Sequence, residues 1–334
     1  MRRFRDILSV ALFSLALSAS ADAQETQAQS PAVKTSSHIL GPVHVREKYI
    51  SMTGPVVQGS ATLEGPVWVT GFRVDVLNDK GESESPEYLC HAWVTLGNRF
   101  ALADQKMMTI SEGLEEMTFP PGFAIRLENA PNNIALLAQA LNNNEKVDKK
   151  LSYKLTVSYV DDNAAKEQGL RNLRTISVAV MAKDANPSGS SEICRTQDET
   201  AGVSMTEGGK SLVHFDVPPG RHEYKSVIPK DSPLYAGGTI HFIKLHLHPY
   251  GESITLTDKT TGETLWAGKA QMAADGRAVL TDTDHYASAE GLKIDTSHEY
   301  EISSVYNNTT DKVTDAMAVL RLYVADAEKE GAQP

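Results

Sequence analysis

Two histidines two residues apart open the case for chemistry in this chain. They lie in His241-Phe-Ile-Lys-Leu-His246-Leu-His248-Pro-Tyr250, a run rich in strand-forming residues. On a strand, positions i and i+2 point to the same face. His246 and His248 can therefore present two imidazoles side by side, the arrangement a metal ion needs. Ile243, Leu245 and Leu247 form the opposite, core-facing side, and His241 falls with them and reads as a satisfied buried histidine. Two imidazoles do not complete a metal site. The other donors in this half of the chain are His214, His222, His241, His285, His298 and Met317. Met317 belongs to Asp315-Ala-Met-Ala-Val-Leu-Arg-Leu-Tyr-Val324, where Ala316, Ala318, Leu320 and Leu322 read as the core face and Met317 lies on the other. A lone methionine ordinarily fills a gap between strands. His222, His285 and His298 are candidates to orient a ligand from behind, against the plainer reading of solvated loop histidines.

Cys90 and Cys194 are the only cysteines. In an oxidising compartment they read as one disulfide tying the first domain to the segment leaving it. The alternative makes Cys90, with His91 beside it, a metal ligand.

The elements that must position these residues are mostly strands. Val67–Val76, Tyr88–Thr95, Leu151–Val160 and Thr175–Met181 alternate or run apolar between turn signals, and Pro120-Pro-Gly122 and Pro218-Pro-Gly220 punctuate the chain. Ile134–Leu141 is the most helix-like stretch, and its shortness leaves a strand open. The expected fold is all-β: two antiparallel, jelly-roll-like β-sandwich domains in tandem. The first is expected at 37–183 and the second at 211–325. A polar, turn-forming linker at 184–210 separates them, and a polar tail follows at 326–334.

The first residues read as an export signal. Arg2, Arg3 and Arg5 precede an apolar run from Ile7 to Leu17 and then Ala21-Asp-Ala23, an expected cleavage pattern ending the signal at residue 23. A disordered lead-in is expected over 24–36. The run is too short for an ordinary membrane span. The expected protein is exported, to a periplasm or the medium, with no integral membrane segment after cleavage. A formal net charge of −11 makes nucleic acid a poor partner, since phosphate contacts need clustered Lys and Arg. No Gly-x-Ser-x-Gly or His-Glu-x-x-His motif occurs, so the common hydrolase and zincin readings have no support.

Four stretches carry a resemblance: Phe215-Asp-Val-Pro-Pro-Gly220, Leu245-His-Leu-His-Pro-Tyr-Gly251, Val305-Tyr-Asn-Asn-Thr-Thr310 and Asp315-Ala-Met317. In order and spacing they resemble the second copper domain of the copper type II, ascorbate-dependent monooxygenases, the family of peptidylglycine α-hydroxylating monooxygenase and dopamine β-monooxygenase. The resemblance covers about 110 residues and implies one copper ion held by His246, His248 and Met317. It also implies dioxygen chemistry at that ion, with an external reductant such as ascorbate. The donor set is chemically coherent: imidazole suits both copper states and a thioether favours Cu(I).

The resemblance stops at the first domain. The family holds a second copper there with an adjacent histidine pair and a later histidine. The counterpart of the pair is Cys90-His91, and Leu136–Asn144 contains no histidine. One copper per chain is therefore expected. The expected function is a copper-binding protein that hydroxylates a C–H bond of an unidentified small molecule or peptide. The rival classes are a non-catalytic copper storage, delivery or sensing protein and a metal-free β-sandwich binding module.

Overall fold

The computed structural model describes residues 33–49, 54–96, 106–143, 147–186, 206–207 and 210–327. Ten strands make up the first part: β1 (Lys34–Val45), β2 (Val56–Leu63), β3 (Val67–Leu77), β4 (Leu89–Leu96), β5 (Lys106–Ser111), β6 (Glu116–Thr118), β7 (Phe123–Leu127), β8 (Asn132–Ala140), β9 (Lys149–Asp161) and β10 (Arg171–Ala179). Two short pieces, β11 (Thr206–Glu207) and β12 (Lys210–Ser211), pair with each other. The rest is β13 (His214–Val217), β14 (Gly220–Val227), β15 (Gly238–Leu247), β16 (Gly251–Asp258), β17 (Glu263–Met272), β18 (Leu280–Thr283), β19 (His285–Ile294), β20 (Tyr300–Asn308) and β21 (Thr314–Ala325). The fold is all-β, as expected. Ile134–Leu141 resolves as a strand: β8 lies between β2 and β4 and is buried on nearly every residue, which erases the alternation that would have marked it. The two Pro-Pro-Gly turns end on glycines in the left-handed region, Gly122 at φ 88° and Gly220 at φ 101°.

Two cores organise these strands. In the first, the β1-β9-β3-β7 part of the large sheet faces the four-stranded sheet β2-β8-β4-β5, with Phe72, Val74, Leu136, Leu155 and Val157 between them. In the second, β10-β21-β15-β19 faces the five-stranded sheet β14-β20-β16-β17-β18 across Ile243, Leu245, Ile254, Ile302, Leu320 and Leu322. The two lobes share one ten-stranded sheet, in which β7 and β10 pair in parallel at Phe123–Arg171 and Ala124–Asn172. β10, expected within the first domain, pairs along its length with β21 and gives Ile176 and Val178 to the second core. Phe242 and Tyr323 reach the other way, into the first core.

At the N-terminal end, Lys34, Thr35 and Ser36, expected within a disordered lead-in over 24–36, instead pair with Tyr159, Ser158 and Val157 of β9, and residues 24–32 lie outside the described residues. The expected signal peptide at 1–23 lies outside the described residues, as do most of the expected linker and the end of the tail. Among the described residues, no helix is long and apolar enough to cross a membrane.

Candidate metal centre between two lobes

β15 and β21 pair antiparallel, with Leu245 opposite Leu320, His246 opposite Val319 and Leu247 opposite Ala318. Ile243, Leu245, Leu247, Ala318, Leu320 and Leu322 all enter the second core. The alternate residues, Lys244, His246, Val319 and Arg321, occupy the other face of the sheet. That face packs against the first lobe: Lys244 is 2% exposed and its ammonium donates to Ser111 Oγ of β5 at 3.0 Å. Burial and the neighbouring Arg321 hold the Lys244 pKa well below its ordinary value.

β13 joins the far edge of β21, with His214 opposite Met317 and Asp216 opposite Asp315. Directly opposite residues in an antiparallel pair share a face. Met317 thus lies beside His214, and the β15–β21 register carried one residue further brings it level with His248. Beyond the end of β15 the ladder is continued by a side chain. The Tyr306 hydroxyl donates to the Met317 carbonyl at 2.7 Å and accepts from the His248 amide at 3.1 Å. Burial raises the Tyr306 pKa, so its proton stays in place for that bond.

The histidines fall into two contacts on this face. His214 and His248 both turn Nδ1 to the Asp315 carboxylate, at 3.1 and 3.0 Å. One ligand atom from each of the three lies within 4.8 Å of the other two. Burial alone would raise the Asp315 pKa, but the hydrogen bonds from His214 and His248 outweigh it and hold the acid below its ordinary range. His246, whose ring centroid is 5.2 Å from that of His248, meets the first lobe instead: its Nε2 lies 3.4 Å from Nε2 of His91. Burial first, then His91 and His248, lower the His246 pKa well below the usual imidazole value. Its Nδ1 is buried with no hydrogen-bond partner.

His91 is delivered by an irregularity in β4. The register against β8 shifts between Leu89 and His91, leaving Cys90 as the extra residue of a bulge, a device that re-aims side chains. Cys90 Sγ lies 3.0 Å from His91 Nδ1. Gln139 stands opposite His91 on β8. The expected Cys90–Cys194 disulfide falls on Cys194, which is outside the described residues.

The three histidines expected to stand behind the ligands are elsewhere. His222 Nε2 meets the Pro219 carbonyl at 3.1 Å, His298 Nδ1 meets Asp258 at 2.6 Å, and His285 stacks on Phe242. Their place is taken by His214 and Asp315. His241 is buried as expected but not in the second core. A register shift between Ile240 and Phe242 makes it a bulge residue, and it stacks on Phe123 of the first lobe with centroids 3.6 Å apart.

Cys90, His246, His248 and Asp315 line a cavity of about 510 Å3, together with Glu112, Leu141, Asn143, Tyr250 and Thr314. Its wall includes the turn after β15. The Gly251 amide donates to the His248 carbonyl at 3.1 Å, Pro249 follows His248, and Tyr250 has φ 73°. That is the pattern of a type II turn with an aromatic residue where glycine is normally required.

No family model matches the chain, and no curated protein matches it in sequence. Solved structures resemble it in shape alone. The PBCV-1 VP54 protein fitted into a reconstruction of the virophage Sputnik is 7% identical, with 89% of this chain and 94% of that chain covered at a TM-score of 0.33. The STIV MCP is 9% identical over 88% and 96%, at a TM-score of 0.33. PNGase F, a glycosylasparaginase from Flavobacterium meningosepticum, is 10% identical over 88% and 97%, at a TM-score of 0.35. Similarity at this level carries no argument about function.

Proposed function

We propose that this chain is a copper-binding protein whose single ion is held on the shared face of β13, β15 and β21. His246 and His248 supply imidazole, Met317 supplies a thioether, and Asp315 orients His248 and His214 from behind. The observation that carries the reading is the concentration of donors: three histidines, a methionine and an aspartate on one buried sheet face, beside a cavity. The fit is chemical as well as spatial. His246 has a buried ring nitrogen without a partner, and buried imidazoles kept neutral are the form that binds metal. A carboxylate that takes the Nδ1 edge of a histidine fixes the ring and its tautomer, leaving Nε2 for an ion. A thioether in the set selects copper over zinc.

When bound, copper would supply redox chemistry able to activate dioxygen, with electrons from an external reductant. The chain's own part is to keep the buried His246 neutral, to keep Met317 and His248 level through Tyr306, and to set the donors beside a cavity. One observation favours a second reading. His214, His248 and Asp315 converge, with one ligand atom from each within 4.8 Å of the others, and this nitrogen and oxygen set suits zinc.

Metal titration of the purified protein separates the two. Under the copper reading, His246→Ala removes tight binding, whereas Asp315→Asn weakens it by about 10- to 100-fold. Under the zinc reading, Asp315→Asn removes binding and His246→Ala spares it. Protein that takes up no stoichiometric metal sinks both. Reductant-dependent oxygen uptake by the copper-loaded protein then distinguishes an oxidase or monooxygenase from a storage, delivery or sensing role.

A further inference from the structure

The first lobe sends one imidazole to the metal face of the second. His91 lies on β4, and its Nε2 is 3.4 Å from Nε2 of His246 on β15. A good N–H hydrogen bond spans about 2.7–3.2 Å, so this contact is long for one. It matches a different bond. Two nitrogens held by one ion at about 2.0–2.1 Å, at the tetrahedral angle, stand about 3.3–3.4 Å apart. The ring orientations agree. The two centroids are 4.7 Å apart and the planes are tilted by 49°. A head-on hydrogen bond would set the centroids a full ring width further apart than the nitrogens. Here the rings lie more nearly side by side, with both Nε2 atoms on the near edge.

The surroundings of His91 hold the ring in that attitude. Cys90 Sγ, 3.0 Å away, meets Nδ1, the nitrogen turned from His246. Trp93 packs edge-on against the ring, with centroids 5.6 Å apart and planes at 82°. A metal-binding histidine is ordinarily fixed in this way, by a partner on the nitrogen that does not meet the ion. The bulge at Cys90 therefore does two things: it turns His91 into the lobe boundary and sets a sulfur behind it. His246 is the ring that links this contact to the other donors, with the His248 centroid 5.2 Å from its own. An ion also has a way in. His91 touches Cys90 and His246, both of which line the 510 Å3 cavity.

We propose that the copper ion at His246 is also bound by Nε2 of His91, so that the site has a third imidazole and the ion ties the first lobe to the second. The inference rests on the copper reading of His246, His248 and Met317 and adds a ligand to it. β4 belongs to the four-stranded sheet of the first lobe and β15 to the ten-stranded sheet. Occupancy of the site therefore sets how firmly the two sheets are held together at this contact.

X-ray absorption of the Cu(I)-loaded full chain counts the imidazoles at the ion. Three are expected in wild type and two in His91→Ala. A site without His91 gives two in both, and the wild-type count needs no variant to fold. Hydrogen exchange reads the other side of the boundary. Cu(I) should slow exchange of the β4 amides in wild type and leave them unchanged in His91→Ala. Chelator competition should show copper bound at least about tenfold more weakly by His91→Ala. Two imidazoles in wild type, or a His91→Ala protein that binds copper as tightly as wild type with the same imidazole count, would overturn the proposal and leave the His246, His248 and Met317 site standing. Wild type that takes up no stoichiometric copper, or binding that survives His246→Ala, would overturn both.

Discussion

Nε2 of His91 and Nε2 of His246 lie 3.4 Å apart, one ring from each lobe. At that spacing the two rings cannot both carry charge on facing nitrogens, and His246 is the one whose pKa is driven down, chiefly by burial. The sign of the consequence is fixed. Between its depressed folded value and the ordinary imidazole value of 6.5, His246 binds a proton only in the unfolded chain. Stability therefore rises with pH through that window and is lost as the pH falls through it, at up to about 1.4 kcal/mol per pH unit. Thermal melts of metal-free protein from pH 7 to pH 5 should show the loss, and His246→Gln should flatten it. A mutant whose melts fall as steeply as wild type would show that other groups carry the acid sensitivity.

Met317 should discriminate between oxidation states. A thioether binds Cu(I) better than Cu(II), while imidazole serves both. Met317→Ala is expected to weaken Cu(I) at least about tenfold and leave Cu(II) within a few-fold, whereas His248→Ala should weaken both. Competition with chelators of each oxidation state measures this. Equal losses for the two states in Met317→Ala would remove the thioether from the ligand set.

Tyr306 offers a test of how the donors are held. Its hydroxyl substitutes for a ladder bond between His248 and Met317, and all three residues are buried. Tyr306→Phe leaves the buried His248 amide and Met317 carbonyl without that partner. A loss of about 1–3 kcal/mol in denaturant unfolding is expected, with metal affinity falling in the same variant. Unchanged affinity in a destabilised protein would mean that the ladder closure serves the fold alone.

What the sequence made legible follows its local periodicities. The alternation in 241–248 and 315–324 suffices to put His246 and Met317 on the side of the sheet opposite Leu245 and Leu320. Three kinds of information were missing. Pairing between segments a hundred residues apart has no local signature, so nothing in Val213-His214-Phe215 marked His214 as the neighbour of Met317, or Asp315 as its hydrogen-bond partner. Bulges add the second difficulty. One extra residue at Cys90 and one at His241 reset parity from that point, moving His91 into the interlobe contact and His241 onto Phe123. Ile134–Leu141 was ambiguous for a third reason, since a strand buried on both faces has no period to read.

Glu112 makes the last prediction, and it runs opposite to that for His246. Its carboxyl is buried beside the Leu280 amide, and burial lifts its pKa from 4.5 to about 8. Between those values the folded chain keeps a proton that the unfolded chain has released, so stability falls as pH rises from 4.5 towards 8. The slope from this group is at most about 1.4 kcal/mol per pH unit. Glu112→Gln keeps the shape and the acceptor for Leu280 but cannot ionise. The variant should therefore match wild type near pH 4.5 and melt progressively higher than wild type up to pH 8. Parallel melting curves over that range would mean that Glu112 is ionised in the folded protein, and the cavity would then present a carboxylate rather than a donor to whatever enters it.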